Sequence, residues 1–179
     1  MEDLTNYCSE NTEVEERILQ LNKQAALRSI TFKPSNPTVN PKVVFVPGWI
    51  SLISGWQEVL QELTGDFIVH YIETREKSSS VMIENSDYSV EAIGADLVDF
   101  VSRFDFNDGA YFLLGSSLGA TAILDCCRSL TPKPLCLILI GPNAEFVIPR
   151  WAIITINILP TGIYKLIKPI VKFYLKNFR

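Results

Sequence analysis

The sequence predicts an α/β domain: a mostly parallel sheet flanked by helices on both faces. Three observations carry this. From Lys42 onward, short apolar runs (KVVFV, DFIVHYI, AYFLLG, PLCLILIG) alternate with segments of helical spacing. Those runs are uniformly apolar, the pattern of strands covered on both faces. The chain has 179 residues, 47% hydrophobic and 20% charged, enough for one domain with a sizeable core.

In chain order, residues 1–12 read as a loose terminus. The segment TEVEERILQLNKQAALRS reads as a helix, with Thr12 as N-cap, Glu15 three residues on, and Val14, Ile18, Leu21 and Ala25 on one face. SITF follows as a short strand, and KPSNPTVNPK, with three prolines, as a linker. Residues 1–41 are thus expected to be an N-terminal helix and Pro-rich linker, and residues 42–145 the core. In the core, KVVFV stops at Pro47-Gly48, and SGWQEVLQEL carries Trp56, Val59, Leu60 and Leu63 at helical spacing. DFIVHYI is β-branched and aromatic, which suits a strand. SVEAIGADLVDFVSRF is an amphipathic helix capped by Ser89. AYFLLG is the next strand, 118–130 the next helix and PLCLILIG the last strand.

The chain's net charge of -4 is unevenly spread and argues against a nucleic-acid binder. From Phe146 on there are six basic residues and no acidic one, so residues 1–145 hold the other ten against all twenty acids. The four cysteines have neither metal-ligand nor disulfide-framework spacing, and the polar, acidic N-terminus resembles no secretory leader. A cytoplasmic location is the resulting expectation. No metal and no cofactor is expected. The only histidine is His70.

Gly115-Ser116-Ser117-Leu118-Gly119 fits G-x-S-x-G between an apolar strand and a helix. Chemistry at such a site needs a sharp turn that pushes the central hydroxyl out at the carboxyl end of the sheet. Glycines two positions to either side are needed because side chains there would collide with the neighbouring strand and helix. With VVFVPGW, SLISGWQEVLQEL, IVHYIETREKSSS, YSVEAIGADLVDFVSRF and LILIGPNAEF around it, residues 42–150 resemble the α/β-hydrolase superfamily, in its serine esterase and lipase-like members. There are departures. Pro47 stands where that family has histidine before glycine, and the stretch with Glu73 and Arg75 lacks the family's glycines.

The resemblance implies that Ser117 is the nucleophile and that the backbone N–H groups of Trp49 and Leu118 form the oxyanion hole. The Trp49 side chain reads equally well as a core aromatic at a strand end. The implied substrate is a small-molecule acyl ester. The family's order is serine, acid, histidine. No histidine follows Ser117, and His70 lies inside a strand, where a structural role fits it best. Glu145 stands where some members place the acid, although a solvated loop carboxylate reads more simply. The family's last two strands are not recognisable, so the chain reads as truncated before the catalytic Asp and His, with weak activity or none. The alternative is a non-catalytic binding or membrane-associated module on a degenerate fold.

Residues 146–179 break the alternation. They read as the start of a lid or as a basic amphipathic segment. Lys165, Lys168, Lys172 and Lys176 lie on one helical face, with Pro169 as a kink. The second reading implies peripheral contact with an anionic membrane.

Overall fold

From Lys42 onward the alternation predicted from the sequence is what the chain forms; before it, the chain forms something else. The computed structural model describes residues 3–36, 38–83, 86–104, 106 and 110–143, together with Arg150 and Pro169. The chain divides into two compact units, Met1–Ala144 and Glu145–Arg179. The first is described below. The readings of residues 146–179 and of Glu145 lie outside the described residues, apart from Arg150 and Pro169.

Among the described residues the order is β1 (Thr12–Gln20), β2 (Ala25–Pro34), β3 (Lys42–Val46), α1 (Gln57–Asp66), β4 (Val69–Ile72), β5 (Val81–Met82), α2 (Val90–Arg103), β6 (Tyr111–Ser116), α3 (Leu118–Cys126) and β7 (Cys136–Ile140). Leu4–Tyr7 and Ile53–Trp56 are short 3-10 turns. The strand order is β1-β2-β4-β3-β6-β7, with β5 pairing the end of β2. Neighbours β4-β3, β3-β6 and β6-β7 are parallel, while β2 is antiparallel to β1, β4 and β5. Only β2 therefore runs against the rest, and the sheet is mostly parallel, as predicted.

Alternate residues of the central strands face opposite sides, so each strand feeds two cores. Val44, Val46, Ile72 and Leu113 pack with Ile93, Leu97, Phe100 and Ile123 of α2 and α3. Val43, Phe45, Val69, Tyr71 and Leu114 pack with Leu60 of α1 and with Ile53 and Tyr7. Each of these buried side chains contributes about 1.5–3 kcal/mol. That double coverage explains why the strand sequences lack polar alternation. Helix α2 begins as predicted: Ser89 Oγ accepts from Ala92 N at 3.2 Å. Arg103, in its last turn, donates to the carbonyls of Gln20 and Leu21.

The N-terminal helix expected over 12–29 is not formed. Those residues make the β1–β2 hairpin, paired from Thr12↔Pro34 to Gln20↔Ala26. The helical spacing of Val14, Ile18, Leu21 and Ala25 is overridden by pairing. β2 lies between β1 and β4, and Ala25, Ala26, Leu27, Ile30 and Phe32 are all buried there. The turn is closed by Asn22, whose Oδ1 accepts from Gln24 N and Ala25 N at 2.8 and 2.9 Å. This competition of an Asn side chain with backbone bonding is what disfavours helix continuation through it. SITF is the middle of β2 rather than a separate strand.

Candidate active site

The strand order places a topological switch point between β3 and β6. From β3 the chain leaves through α1 toward β4, on one face of the sheet. From the adjacent β6 it leaves through α3 toward β7, on the other face. The loops after β3 and β6 diverge at the carboxyl ends of neighbouring parallel strands, the place where open α/β sheets bind ligands.

Ser117 sits at this point, between the last residue of β6 and the first of α3, with φ 48° and ψ -114°. This is a conformation that a residue with a Cβ adopts only under strain, costing on the order of 1–3 kcal/mol. The surroundings hold it there. Ser117 N donates to Ile140 O of β7 at 2.8 Å, and Ser117 O accepts from Thr121 N at 2.9 Å, the first bond of the helix. The flanking glycines are required by approach distance. A Cβ on Gly119 would lie 2.3 Å from Val46 O and 2.7 Å from Pro47 O; one on Gly115 would lie 2.6 Å from Ile123 Cδ1 and 2.8 Å from Ala120 Cα. The helix start is thus pressed against the ends of β3 and β6, and the turn must be sharp.

The β3–α1 loop reaches the same point. A Cβ on Gly48 would lie 3.1 Å from Ser117 Cβ and 3.2 Å from Ser116 O. Trp49 follows at once. Its side chain is 59% exposed, so it is not a core aromatic; Trp56 takes that place, edge-on to Phe45 at 4.9 Å with its Nε1 donating to Ser51 Oγ. Leu118 opens α3, where the N–H groups of the first turn lack helical acceptors. Among the described residues, neither Trp49 N–H nor Leu118 N–H donates to a protein acceptor. The structure therefore brings the loop of Trp49 and the turn of Ser117 and Leu118 together.

It keeps His70 apart from them. His70 lies within β4, paired with Val44 rather than at the strand end, and is 5% exposed. Its Nδ1 is 3.0 Å from Thr31 Oγ1, and the rings of Phe104, Phe106 and Phe100 surround it at 4.6, 5.7 and 6.3 Å. Burial, reinforced by the charges of Lys42 and Lys33, lowers its pKa to about 4. Among the described residues no titratable side chain hydrogen-bonds to Ser117 Oγ.

Two features escaped the sequence reading. Asp96 of α2 and Arg75 form a bidentate pair at 2.7 and 2.8 Å, with side chains 0% and 2% exposed, and Asn22 donates to Asp96 Oδ1 at 2.6 Å. Arg75 also donates to the carbonyl of Asp87. This pair anchors the loop after β4. From that loop Lys77 Nζ donates to the carbonyls of Gly48, Trp49 and Ser51 at 2.8, 2.7 and 2.8 Å. The only sequence signal was the replacement of the family's glycines around Lys77 by Glu76 and Ser78. No group of His, Cys, Asp or Glu among the described residues is arranged to hold a metal ion.

No protein-family model matches the chain, and neither does any curated protein. Solved structures do. A protein of Acinetobacter baumannii AYE described as a lipase (lip1) superposes with a TM-score of 0.63 at 17% identity, over 79% of this chain and 46% of that one. A bacterial membrane phospholipase A gives 0.60 at 15%, over 78% and 42%. The epoxide hydrolase CorEH gives 0.65 at 17%, over 93% and 59%. The chain spans less than half the length of the first two.

Proposed function

We propose that this chain, which has the α/β-hydrolase fold, carries the acylation half of a serine ester hydrolase. Ser117 is the nucleophile at an elbow between β6 and α3. The N–H groups of Trp49 and Leu118 are the oxyanion donors. The observation that carries the reading is the Ser117 backbone, held at φ 48° where neither Gly115 nor Gly119 has room for a side chain. Strain of this kind persists where the surroundings over-determine it, and it clusters at reactive positions.

In the proposed step Ser117 Oγ bonds to the ester carbonyl carbon, and the C=O π pair moves onto oxygen between the two N–H groups. Collapse then breaks the carbon–oxygen bond to the leaving group, which takes a proton from solvent and departs as the alcohol, and water hydrolyses the acyl-serine to the free acid. Two aimed donors are worth ~3 kcal/mol each in the transition state. A serine needs a base to take its proton. His70 is held by Thr31 in an apolar pocket. Among the described residues no other base reaches Ser117, so in the proposed step the proton passes to solvent and turnover is slow. A serine at the elbow also disfavours epoxide opening, which runs through a carboxylate nucleophile.

The implied substrate is a small acyl ester, and the reading includes no cofactor. A cytoplasmic location belongs to the proposal and rests on four free cysteines. Peripheral membrane contact through residues 146–179 belongs to it as well. Among the described residues no helix is long and apolar enough to cross a membrane. One observation favours a second reading, a non-catalytic binding module on the same fold: among the described residues Ser117 has no base.

Burst kinetics separate the two. An activated acetate ester should release up to one equivalent of alcohol, with the acetyl group recovered on Ser117 by mass spectrometry and lost in Ser117→Ala. Absence of acetyl-Ser117 in folded protein removes the enzyme reading.

A further inference from the structure

We propose that Lys77 is the positioning residue of the oxyanion loop, its ammonium clamping the carbonyls of Gly48, Trp49 and Ser51 so that the peptide N–H of Trp49 faces the other way. The inference rests on the reading of Ser117 as nucleophile. Three N–H donors meet three carbonyl oxygens, so the ammonium is saturated by this one loop. In a trans peptide C=O and N–H point in opposite directions. Fixing Gly48 O on Lys77 therefore fixes the direction of Trp49 N–H, the group offered to the oxyanion. Fixing Trp49 O and Ser51 O does the same for the next turn of the loop.

Of the three carbonyls that Lys77 holds, only Gly48 O has another donor among the described residues. Trp49, Ile50 and Leu52 are 59%, 63% and 66% exposed, so no hydrophobic anchor holds the loop until Ile53. Ser51 N donates to Gly48 O at 3.2 Å, sharing that acceptor with Lys77, and the far end of the loop is tied by Trp56 Nε1 to Ser51 Oγ at 2.7 Å and Gly55 N to Leu52 O at 3.0 Å. Lys77 itself is well placed to act as a fixed point. Two successive turns, Lys77 N to Thr74 O at 3.0 Å and Ser80 N to Lys77 O at 3.1 Å, hold its backbone. Arg75, two residues earlier, is locked to Asp96. Glu76 Oε1 lies 3.8 Å from Nζ, and the Lys77 side chain is only 12% exposed. Burial lowers the Lys77 pKa, against the opposing pull of Glu76 and Glu73. A buried ammonium of this kind needs its full set of acceptors, and the three carbonyls supply them.

The test uses the full chain as wild type, Lys77→Met and Lys77→Gln, with Ser117→Ala as blank. Three quantities are measured: the rate of Ser117 labelling by a fluorophosphonate, the exchange of backbone amides in residues 48–52, and alkylation of Ser117→Cys by iodoacetamide with and without Lys77→Met. Phosphonylation puts charge on an oxygen in the hole, whereas alkylation at sulfur does not. Lys77→Met should slow fluorophosphonate labelling about 10- to 100-fold, somewhat less than outright loss of an oxyanion donor. Loop exchange should rise about tenfold, and alkylation should change less than twofold. A rate within twofold of wild type in folded Lys77→Met overturns the clamp. Unchanged exchange overturns it whatever Ser117 does. If wild type is not labelled at Ser117 while loop exchange still rises in the variant, the nucleophile reading falls and with it the oxyanion role of Lys77. Should Lys77→Met fail to fold by circular dichroism, Lys77→Gln, which keeps a shorter N–H donor, is read by the same criteria.

Discussion

His70 offers the sharpest physical test of the fold, because it is the only histidine and its environment is closed. Burial among Phe104, Phe106 and Phe100 lowers its pKa from 6.5 to about 4. The unfolded chain takes up the proton near 6.5 and the folded chain only near 4. Between those values the unfolded state binds more protons, so stability rises with pH across this window. The stability is fully present above pH 6.5 and is lost as pH falls toward 4. A depression of about 2.5 units corresponds to about 3 kcal/mol.

Carboxylates also titrate toward the acid end, so the comparison is with a double variant, His70→Phe with Thr31→Val. The first change keeps an aromatic ring among the phenylalanines, and the second removes the hydroxyl left without its partner. Urea unfolding at pH 7 and at pH 4.5 should show wild type losing about 2 kcal/mol more than the variant, the remainder being lost below pH 4.5. The imidazole C2 proton signal of wild type gives the same quantity directly, with a midpoint near 4 in folded protein. A midpoint at or above 6, or equal acid sensitivity of the two proteins, refutes the reasoning.

Ser117→Gly should raise stability by about 1 kcal/mol in urea unfolding, because glycine accepts φ 48° without strain, and should abolish labelling at that position. A loss of stability would show that the serine backbone is not strained. Gly119→Ala should destabilise by about 1–3 kcal/mol or prevent folding, since its Cβ meets the backbone oxygens of Val46 and Pro47 rather than a movable side chain; a neutral result in thermal unfolding would mean that the helix start can retreat. Arg75→Met and Asp96→Leu should each cost about 3–5 kcal/mol, while the double variant costs far less than their sum, the signature of a buried pair in a double-mutant cycle.

The sequence pattern was enough to place the elements on either side of Ser117. KVVFV ends at Pro47-Gly48 and forms β3 over the predicted residues; Ser89 caps α2; and the glycines around Ser117 mark the sharp turn between β6 and α3. The Ser89 cap is a contact within three residues, whereas the glycine pattern around Ser117 marks a turn whose tightness is imposed by Val46 and Pro47, about seventy residues earlier. At 12–34 the helical spacing is real but weaker than pairing, since nine residues of β2 pair with β1 and four of those also pair with β4. That partner lies some forty residues further on, outside any local pattern.

Lys77, Asp96 and the exposed Trp49 belong to the same class. A lysine in a polar loop and an aspartate on an amphipathic helix each look solvated in sequence. Folding buries both, because the loop after β4 is carried over the end of β3 and onto α2. The sequence by itself determined the fold class, the central strands and the position of the serine. Only the tertiary structure decided what surrounds that serine: His70 locked to Thr31 away from it, and the loop of Trp49 beside it, held from behind by an ammonium. The reason is that electrostatic and hydrogen-bond partners are chosen by proximity in space, which residue spacing along the chain does not record.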